Sequence, residues 1–352
     1  MLRYRRARLS HTRGYFVGDD LASAVTVYPF TMNVAGRSLA MGGLASVMSA
    51  PEYRRRGFVR TLILDSFERL RSAGVAWSLE YPFDPAYYAR FGYVSVPNGL
   101  RLELPVSALY GGAPPDAERL RAHEVERLKP IHKAFAEGYN FSLTRADEAR
   151  DAWSLLIKKP WEDREATVYL LEDAYTVLDF RYGEPNRLTV KDYAYRTPAG
   201  RERLLRFWGS FQGQAEVVAL HVPGDEPLLF DYARYIKHPD TVLQARIVDV
   251  KLALEALPGG DNASFTLSVT DDIYDRQSYT VVTEDGRVSV TAFSGEPDLT
   301  LDAKTLALLL SGGLSAEAAF RYGRLEGDLS AAQALSSLAG KRLPFMAQAD
   351  YF

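Results

Sequence analysis

The sequence predicts a mixed α+β / α/β protein of more than one domain, and three observations predict it. At 352 residues the chain exceeds what one ordinary core organises, which points to two or three domains. A strand, a tight turn and a helix start follow one another between Ser46 and Arg60, where the small, uncharged stretch Met41–Ser49 gives way to a run of arginines. Beyond it Leu62, Ile63, Phe67 and Leu70 keep helical spacing. Finally, the strand and helix pattern starts afresh after Gly111-Gly-Ala-Pro-Pro115, which has linker composition, and changes register again near Thr241.

Composition narrows the function classes. With 47% hydrophobic and 25% charged residues the chain has a soluble globular profile, and a net charge of −3 gives no general pull toward nucleic acid or an anionic membrane. There is no cysteine, so a thiol nucleophile, a thiolate zinc site and disulfides are all excluded. No apolar run reaches the roughly 18 to 20 residues that span a bilayer, and the amino terminus lacks a signal-peptide core, which predicts a cytoplasmic protein. Dinucleotide and Walker glycine patterns are missing, the histidines are scattered without a His-Glu-x-x-His, and Asp271, Asp272 and Asp275 lack the glycine and distal glutamate of a calcium loop. No metal is expected.

The elements can be justified in order. Four arginines in Met1–Ser10 read either as a basic arm or as the exposed face of a helix end. Gly14–Val17 and Leu21–Phe30 form two strands across Gly18-Asp-Asp, and a turn at Asn33-Val-Ala-Gly36 leads into the strand ending at Ser49. A helix over Arg56–Ala73 stops at Gly74, and Val75–Tyr81 is the next strand. A helix amino terminus presents unpaired N–H groups and the positive end of its dipole, and a glycine there lets backbone approach a ligand closely. Val47, Met48, Ser49, Arg54, Arg55, Arg56, Gly57, Phe58, Val59 and Arg60 therefore make a candidate cradle for a pyrophosphate. By itself Arg-x-x-Gly also describes a solvated helix cap; the strand before it and the helix after it favour the cradle.

Arg54-x-x-Gly57 resembles the acyl-coenzyme-A signature Gln/Arg-x-x-Gly-x-Gly/Ala of the GNAT N-acetyltransferases, with Val59 where the second small residue usually sits. Downstream, Tyr81-Pro-Phe-Asp-Pro-Ala-Tyr-Tyr-Ala-Arg-Phe-Gly-Tyr-Val94 is similar to the Phe-Tyr-x-x-Phe-Gly-Tyr element of the Eis-type (enhanced intracellular survival) enzymes within that superfamily. The resemblance implies acetyl-CoA as cosubstrate, and Tyr93 as the group that protonates the departing thiolate. A phenol, with a reference pKa near 10, yields its proton to a thiolate of about 8.5 at a cost of only roughly 2 kcal/mol. The bland alternative is that Tyr93 packs an edge as one of 21 tyrosines. The pantetheine arm would pair with Val47–Ser49, and a strand N–H near Val47 would hold the developing oxyanion. Without cysteine, direct transfer is favoured over an acyl-enzyme. The strand and two helices that ordinarily open a GNAT domain are missing ahead of Arg13, which implies either a start placed too late or a more open acceptor site.

Residues 1–108 thus read as the GNAT domain and 116–240 as a degenerate GNAT-like domain. The latter has helices at Ala117–Phe135, Glu148–Leu156 and Arg201–Phe207 and strands at Ala166–Leu171, Ala174–Asp179, Arg187–Tyr195 and Val217–His221, but no Arg-x-x-Gly cradle. Its Trp153, Trp161, Phe207 and Trp208 read as core or as pocket lining. Residues 241–352, with a hairpin at Asp285-Gly286 and a last helix at Ser330–Leu338, resemble the sterol-carrier-protein fold that closes the Eis-type chain. An apolar terminus, Tyr351-Phe352, suggests docking where chain ends usually fray, and in the resembling family the terminal carboxylate acts as base; Phe352 is the matching residue. Glu80 and Asp84 could attract a small cationic amine acceptor, or simply lie at the surface. The resemblance further implies a homo-oligomer, a hexamer. The competing reading is a lipid carrier built on the C-terminal domain.

Overall fold

The computed structural model describes residues 11–109, 111–145, 153, 167–237 and 242–352. The amino-terminal arginines, the expected helix at Glu148–Leu156 apart from Trp153, and Trp161 lie outside them. The chain divides into two compact units, one running to Pro97 and including Thr241–Pro344 and Phe352, the other comprising Asn98–Asp240 and Phe345–Tyr351. Among the described residues no helix is long and apolar enough to cross a membrane.

In the first unit β1 (Thr12–Val17), β2 (Asp20–Val34) and β3 (Arg37–Ser49) form the expected antiparallel meander. After α1 (Phe58–Ser72), β4 (Trp77–Glu80) returns parallel to β3, pairing Met41–Leu44 with Trp77–Glu80 and no further. Strand, helix and parallel strand make a crossover unit, and the two strands part beyond Leu44 and Glu80. The fork is sharpened by a bulge: Ala24 faces Met48 and Thr26 faces Ala45, so that Ser46 and Val47 both stand opposite Val25, with Ser46 at φ 50°. The α1 face that carries Leu62, Ile63 and Phe67 packs on Val25, Leu44, Tyr88, Phe91 and Tyr93, and each such side chain contributes about 1.5–3 kcal/mol by leaving water. A short helix α2 (Pro85–Ala89) and β5 (Val94–Val96) follow.

The second unit holds β6 (Leu100–Pro105), β7 (Glu118–Leu120), α3 (Lys129–Ala136), β8 (Thr167–Leu171), β9 (Ala174–Arg181), β10 (Arg187–Tyr195), α4 (Pro198–Gly209), β11 (Val217–Val222) and β12 (Ile236–Lys237). Its sheet runs β12-β6-β11-β10-β9-β8-β7, and α4 is again the crossover between two parallel strands, β10 and β11. The long helix expected over Ala117–Phe135 is instead β7, a 3-10 stretch at Ala122–Leu128 and α3, because Pro130 fits only a helix's first turn. Trp153, Phe207 and Trp208 are core residues.

Two strands cross the linear division read from sequence. Leu100–Pro105, counted with residues 1–108, is laid down in the second sheet, and β13 (Leu243–Ile247), counted with 241–352, is inserted antiparallel between β4 and β5. All five β13 residues are buried, as a central strand covered on both faces requires. The remainder of 241–352 is a five-stranded sheet ordered β16-β15-β14-β17-β18, with β14 (Ala263–Thr270), β15 (Gln277–Glu284), β16 (Arg287–Ala292), β17 (Leu299–Asp302) and β18 (Leu325–Gly327). Helices Ala303–Ser311 and Leu329–Ser337 pack against β14. Asp285 and Gly286 turn the expected hairpin with positive φ at both positions, the geometry that matches strand twist. Within this unit Arg246 of β13, wholly buried, donates to Asp271 at 3.0 Å and lies 4.8 Å over the Phe67 ring.

Candidate active site

The cradle begins where the chain leaves β3. Arg55 (φ 62°) and Gly57 (φ 84°) are both left-handed, a conformation glycine adopts freely and arginine reluctantly, so the intervening N–H groups turn inward as a nest. Gly57 caps α1 without any side-chain hydrogen bond, and Thr61 donates to its carbonyl at 3.0 Å. The first N–H groups of a fifteen-residue helix are therefore left for a ligand. Arg54, Arg55, Arg56, Arg60 and Arg90 are exposed around this point and form no ion pair among the described residues. The cleft they border has a volume of about 890 Å³ and is lined by every cofactor residue expected from sequence: Val47, Met48, Ser49, Arg54, Arg55, Arg56, Gly57, Phe58, Val59 and Arg60. Unclaimed N–H donors and five uncompensated cations fit a polyanionic diphosphate.

Sequence reasoning passed over the other wall, made by Tyr53, Phe83, Tyr87, Arg90 and Phe91. Pro85 at the start of α2 and the Asp84 cap were legible signals that this segment turns into a short helix and displays one face. Arg90 lies 4.3 Å from the Tyr87 ring centre, and Phe83 rests on Tyr87 and Tyr88.

At the inner end of the fork the expected residues separate. Tyr93 does not line the cleft: it is 0% exposed, and its hydroxyl sits 2.6 Å from Ser78 Oγ, which donates to the Gly42 carbonyl. Burial holds its pKa well above the usual phenol range. Tyr88, five residues earlier, is 4% exposed and makes no hydrogen bond among the described residues. Its pKa is also raised, by burial first and then by neighbouring Glu80. Glu80 ends β4 at the crotch of the fork, 1% exposed, with Oε1 unpartnered among the described residues; burial lifts its pKa from 4.5 to about 9. Burial thus favours the protonated form of the Glu80 carboxyl, which works against its acting as an anionic partner for a cationic acceptor. Asp84 is spent as the α2 cap, accepting from the Ala86 N–H at 2.9 Å. Phe352 does fold back: its ring lies 4.8 Å from that of Phe30 on β2 and 5.4 Å from that of Tyr81, just past β4. Gly43 makes the room, since a Cβ there would stand 2.8 Å from the Phe352 ring and 2.5 Å from Phe30. Among the described residues no group of His, Asp and Glu is placed to hold a metal.

Residues 2–96 and 143–247 each match a GNAT acetyltransferase domain family, and residues 250–347 match a sterol carrier protein domain. A Streptomyces avermitilis protein described as an uncharacterized N-acetyltransferase is 25% identical over 329 residues, covering 86% of this chain and 80% of its own. Among solved structures, a GCN5-related N-acetyltransferase from Anabaena variabilis superposes with a TM-score of 0.87 at 20% identity, covering 100% of this chain and 92% of that one. Eis1 from Mycobacterium abscessus gives 0.81 at 19% identity, with 99% and 92% coverage. The two structures share the fold with this chain.

Proposed function

We propose that the chain, whose residues match two GNAT acetyltransferase domain families and a sterol carrier protein domain, is an acetyltransferase of the Eis type that passes the acetyl group of acetyl-CoA directly to a primary amine of a small acceptor. The observation that carries this reading is the 890 Å³ cleft, which joins a helix start without a side-chain cap to five arginines that form no ion pair among the described residues, a setting suited to a diphosphate. Residues 55 to 60 hold the diphosphate by backbone N–H groups, and the β3 edge at Val47–Ser49 aligns the pantetheine arm. The bulge at Ser46 and Val47 turns strand N–H groups out of the ladder, where they can donate to the thioester oxygen as charge gathers on it.

Two tyrosines compete for the proton that the leaving sulfur needs. Tyr93 was the sequence candidate, but its buried hydroxyl is bonded to Ser78; neither tyrosine lines the cleft, and the hydroxyl of Tyr88, which makes no hydrogen bond among the described residues, makes Tyr88 the alternative donor. The carboxylate of Phe352, carried by a ring packed on Phe30 and Tyr81, is the proposed base for the acceptor ammonium. With burial favouring the protonated form of Glu80, that carboxylate and the exposed Asp84 are the groups proposed to draw in a cationic amine. A thiol-release assay over a panel of mono- and polyamines tests the activity, and calorimetric titration with acetyl-CoA tests the cradle. Micromolar binding is expected, and millimolar binding would overturn the reading. Tyr88→Phe should lower kcat about a hundredfold at unchanged acetyl-CoA affinity. Tyr93→Phe should leave kcat within a few-fold and cost about 1 kcal/mol of stability; the reverse result would return the role to Tyr93.

A further inference from the structure

The cleft wall that faces the cradle carries a cation of its own. Arg90 closes the C-terminal end of the five-residue α2 and is exposed, yet its guanidinium is held in place. Nε donates to the Tyr87 carbonyl at 3.1 Å, and the guanidinium carbon lies 4.3 Å from the centre of the Tyr87 ring and 5.8 Å from that of Phe91. Arg60, in the first turn of α1, brings its guanidinium to 5.9 Å from the same Phe91 ring. Two arginines on different helices of the first unit thus converge on one aromatic side chain, and Arg60, Tyr87, Arg90 and Phe91 all line the cleft. Apart from the Nε bond, the N–H groups of Arg90 make no hydrogen bond among the described residues, and neither arginine has a carboxylate partner there. Arginines at helix ends often answer the helix dipole, but five residues sum to little of one.

On the reading of the cleft as the coenzyme A site, on which this step rests, we propose that Arg90 determines cosubstrate specificity: with Arg60 it grips the 3′-phosphate on the cosubstrate's ribose, so that the chain selects 3′-phosphorylated acyl thioesters over their dephosphorylated forms. Charge balance favours a third phosphate. The diphosphate linkage is already answered by backbone N–H groups of residues 55 to 60 and by the arginines of the turn, which leaves Arg60 and Arg90 in excess of it. A phosphomonoester brings about 1.5 to 2 further negative charges near pH 7 and three acceptor oxygens. Cations gathered without a counter-ion repel one another, and a bound anion relieves that. The side-chain chemistry fits as well. With Nε given to the Tyr87 carbonyl, Nη1 and Nη2 remain as a forked pair of donors, the geometry that phosphate oxygens accept bidentately, where a lysine offers only a point charge. The ring under the guanidinium and the bond at Nε set its direction before the ligand arrives, which lowers the entropy lost on binding.

Calorimetric titration of the full-length chain with coenzyme A and with 3′-dephospho-coenzyme A tests this. The parent should bind coenzyme A about ten- to a hundredfold more tightly than the dephospho form, the range of a charge-assisted contact. Arg90→Ala should remove most of that preference by weakening coenzyme A alone, with the dephospho form held within about twofold and a thermal melt verifying the fold. Arg90→Lys keeps the charge and loses the fork, so its preference should fall between those of parent and alanine variant; any other order would count against the grip. The joint change Arg55→Ala and Arg56→Ala should weaken both ligands by the same factor, because the diphosphate is common to them. If Arg90→Ala weakens both ligands equally, Arg90 shapes the wall or holds the diphosphate, and the assignment fails. It fails equally if the parent does not distinguish the ligands, or if the joint variant is the one that erases the preference. A parent that binds neither ligand would overturn the reading of the cleft itself, and the role of Arg90 with it.

Discussion

The two crossover helices of this chain begin in opposite ways. α1 starts at Gly57 with no side-chain cap and with arginines around it that have no acidic partner among the described residues. α4 starts at Thr197, whose hydroxyl accepts from the Gly200 N–H at 3.0 Å and donates to the Asp173 carboxylate, while Arg203 donates to the same carboxylate at 2.8 Å. A Cβ on Gly200 would stand 2.8 Å from Asp173, so the protein's own carboxylate occupies the space before the helix. In one unit the positive helix end and its cations have no acidic partner among the described residues; in the other they are neutralised from within. On the proposed reading the same supersecondary unit is a binding site in the first case and scaffolding in the second, and what separates them is a cap residue and an aspartate.

The sharpest way to break this contrast is to give α1 an internal anion. Gly57→Asp puts a carboxylate at a position whose left-handed backbone aspartate tolerates, and nothing lies within 4 Å of the new Cβ. The fold should survive with a stability change of about 1 kcal/mol or less, while acetyl-CoA affinity falls at least a hundredfold, as read by calorimetry. A smaller loss would mean that the diphosphate sits elsewhere. Next in size is the joint change Arg55→Ala and Arg56→Ala, which should weaken binding about tenfold at low salt and less at high salt, because exposed charges are screened. An effect insensitive to ionic strength would argue that these arginines shape the loop instead of attracting the phosphates.

A third expected outcome concerns ionisation in the first unit. Glu80 has an ordinary value of 4.5 and a folded value of about 9, so across that window the folded state holds a proton that the unfolded state has released. Stability is lost as pH rises through the window, at about 1.4 kcal/mol per pH unit for this one group. Glu80→Gln removes that slope: melting temperatures of variant and parent should agree near pH 4.5 and diverge in the variant's favour toward pH 9. Parallel curves would show that Glu80 is ionised in the folded protein and available to an acceptor cation after all.

What could be read from sequence was what short-range chemistry encodes. The β3 stretch, α1, its Gly74 stop and the Asp285-Gly286 hairpin follow from local pattern, and the cradle followed because its parts lie within about a dozen consecutive residues. Long-range closure was not legible. Leu243–Ile247 is an unremarkable apolar run whose partners, Trp77–Glu80 and Val94–Val96, lie some 150 residues away. Which aromatic residues of this segment line the cleft and which are buried depends on how α2 and its following turn rotate it, and a repeat of tyrosines cannot decide that. Glu80 reads as an acid on paper, and it is tertiary burial, which removes its water, that pushes its pKa up to about 9. Arg145 and Asp350, which form a buried ion pair within the second unit, are 205 residues apart and carry no shared motif.

The smallest expected effect is the mirror of the first. Thr197→Ala removes the α4 cap and one partner of Asp173, which should cost about 0.5–2 kcal/mol, in the range of other cap deletions, seen as a lower denaturation midpoint at unchanged slope. Acetyl-CoA affinity and kcat should not move, because the vacated helix start still faces a carboxylate held by Arg203 and gains no room for a phosphate. A second, weaker acetyl-CoA site appearing in the titration of Thr197→Ala would show that the cap alone had closed this helix start, and that the difference between the two units is one hydroxyl deep; an unchanged single site assigns the closure to Asp173.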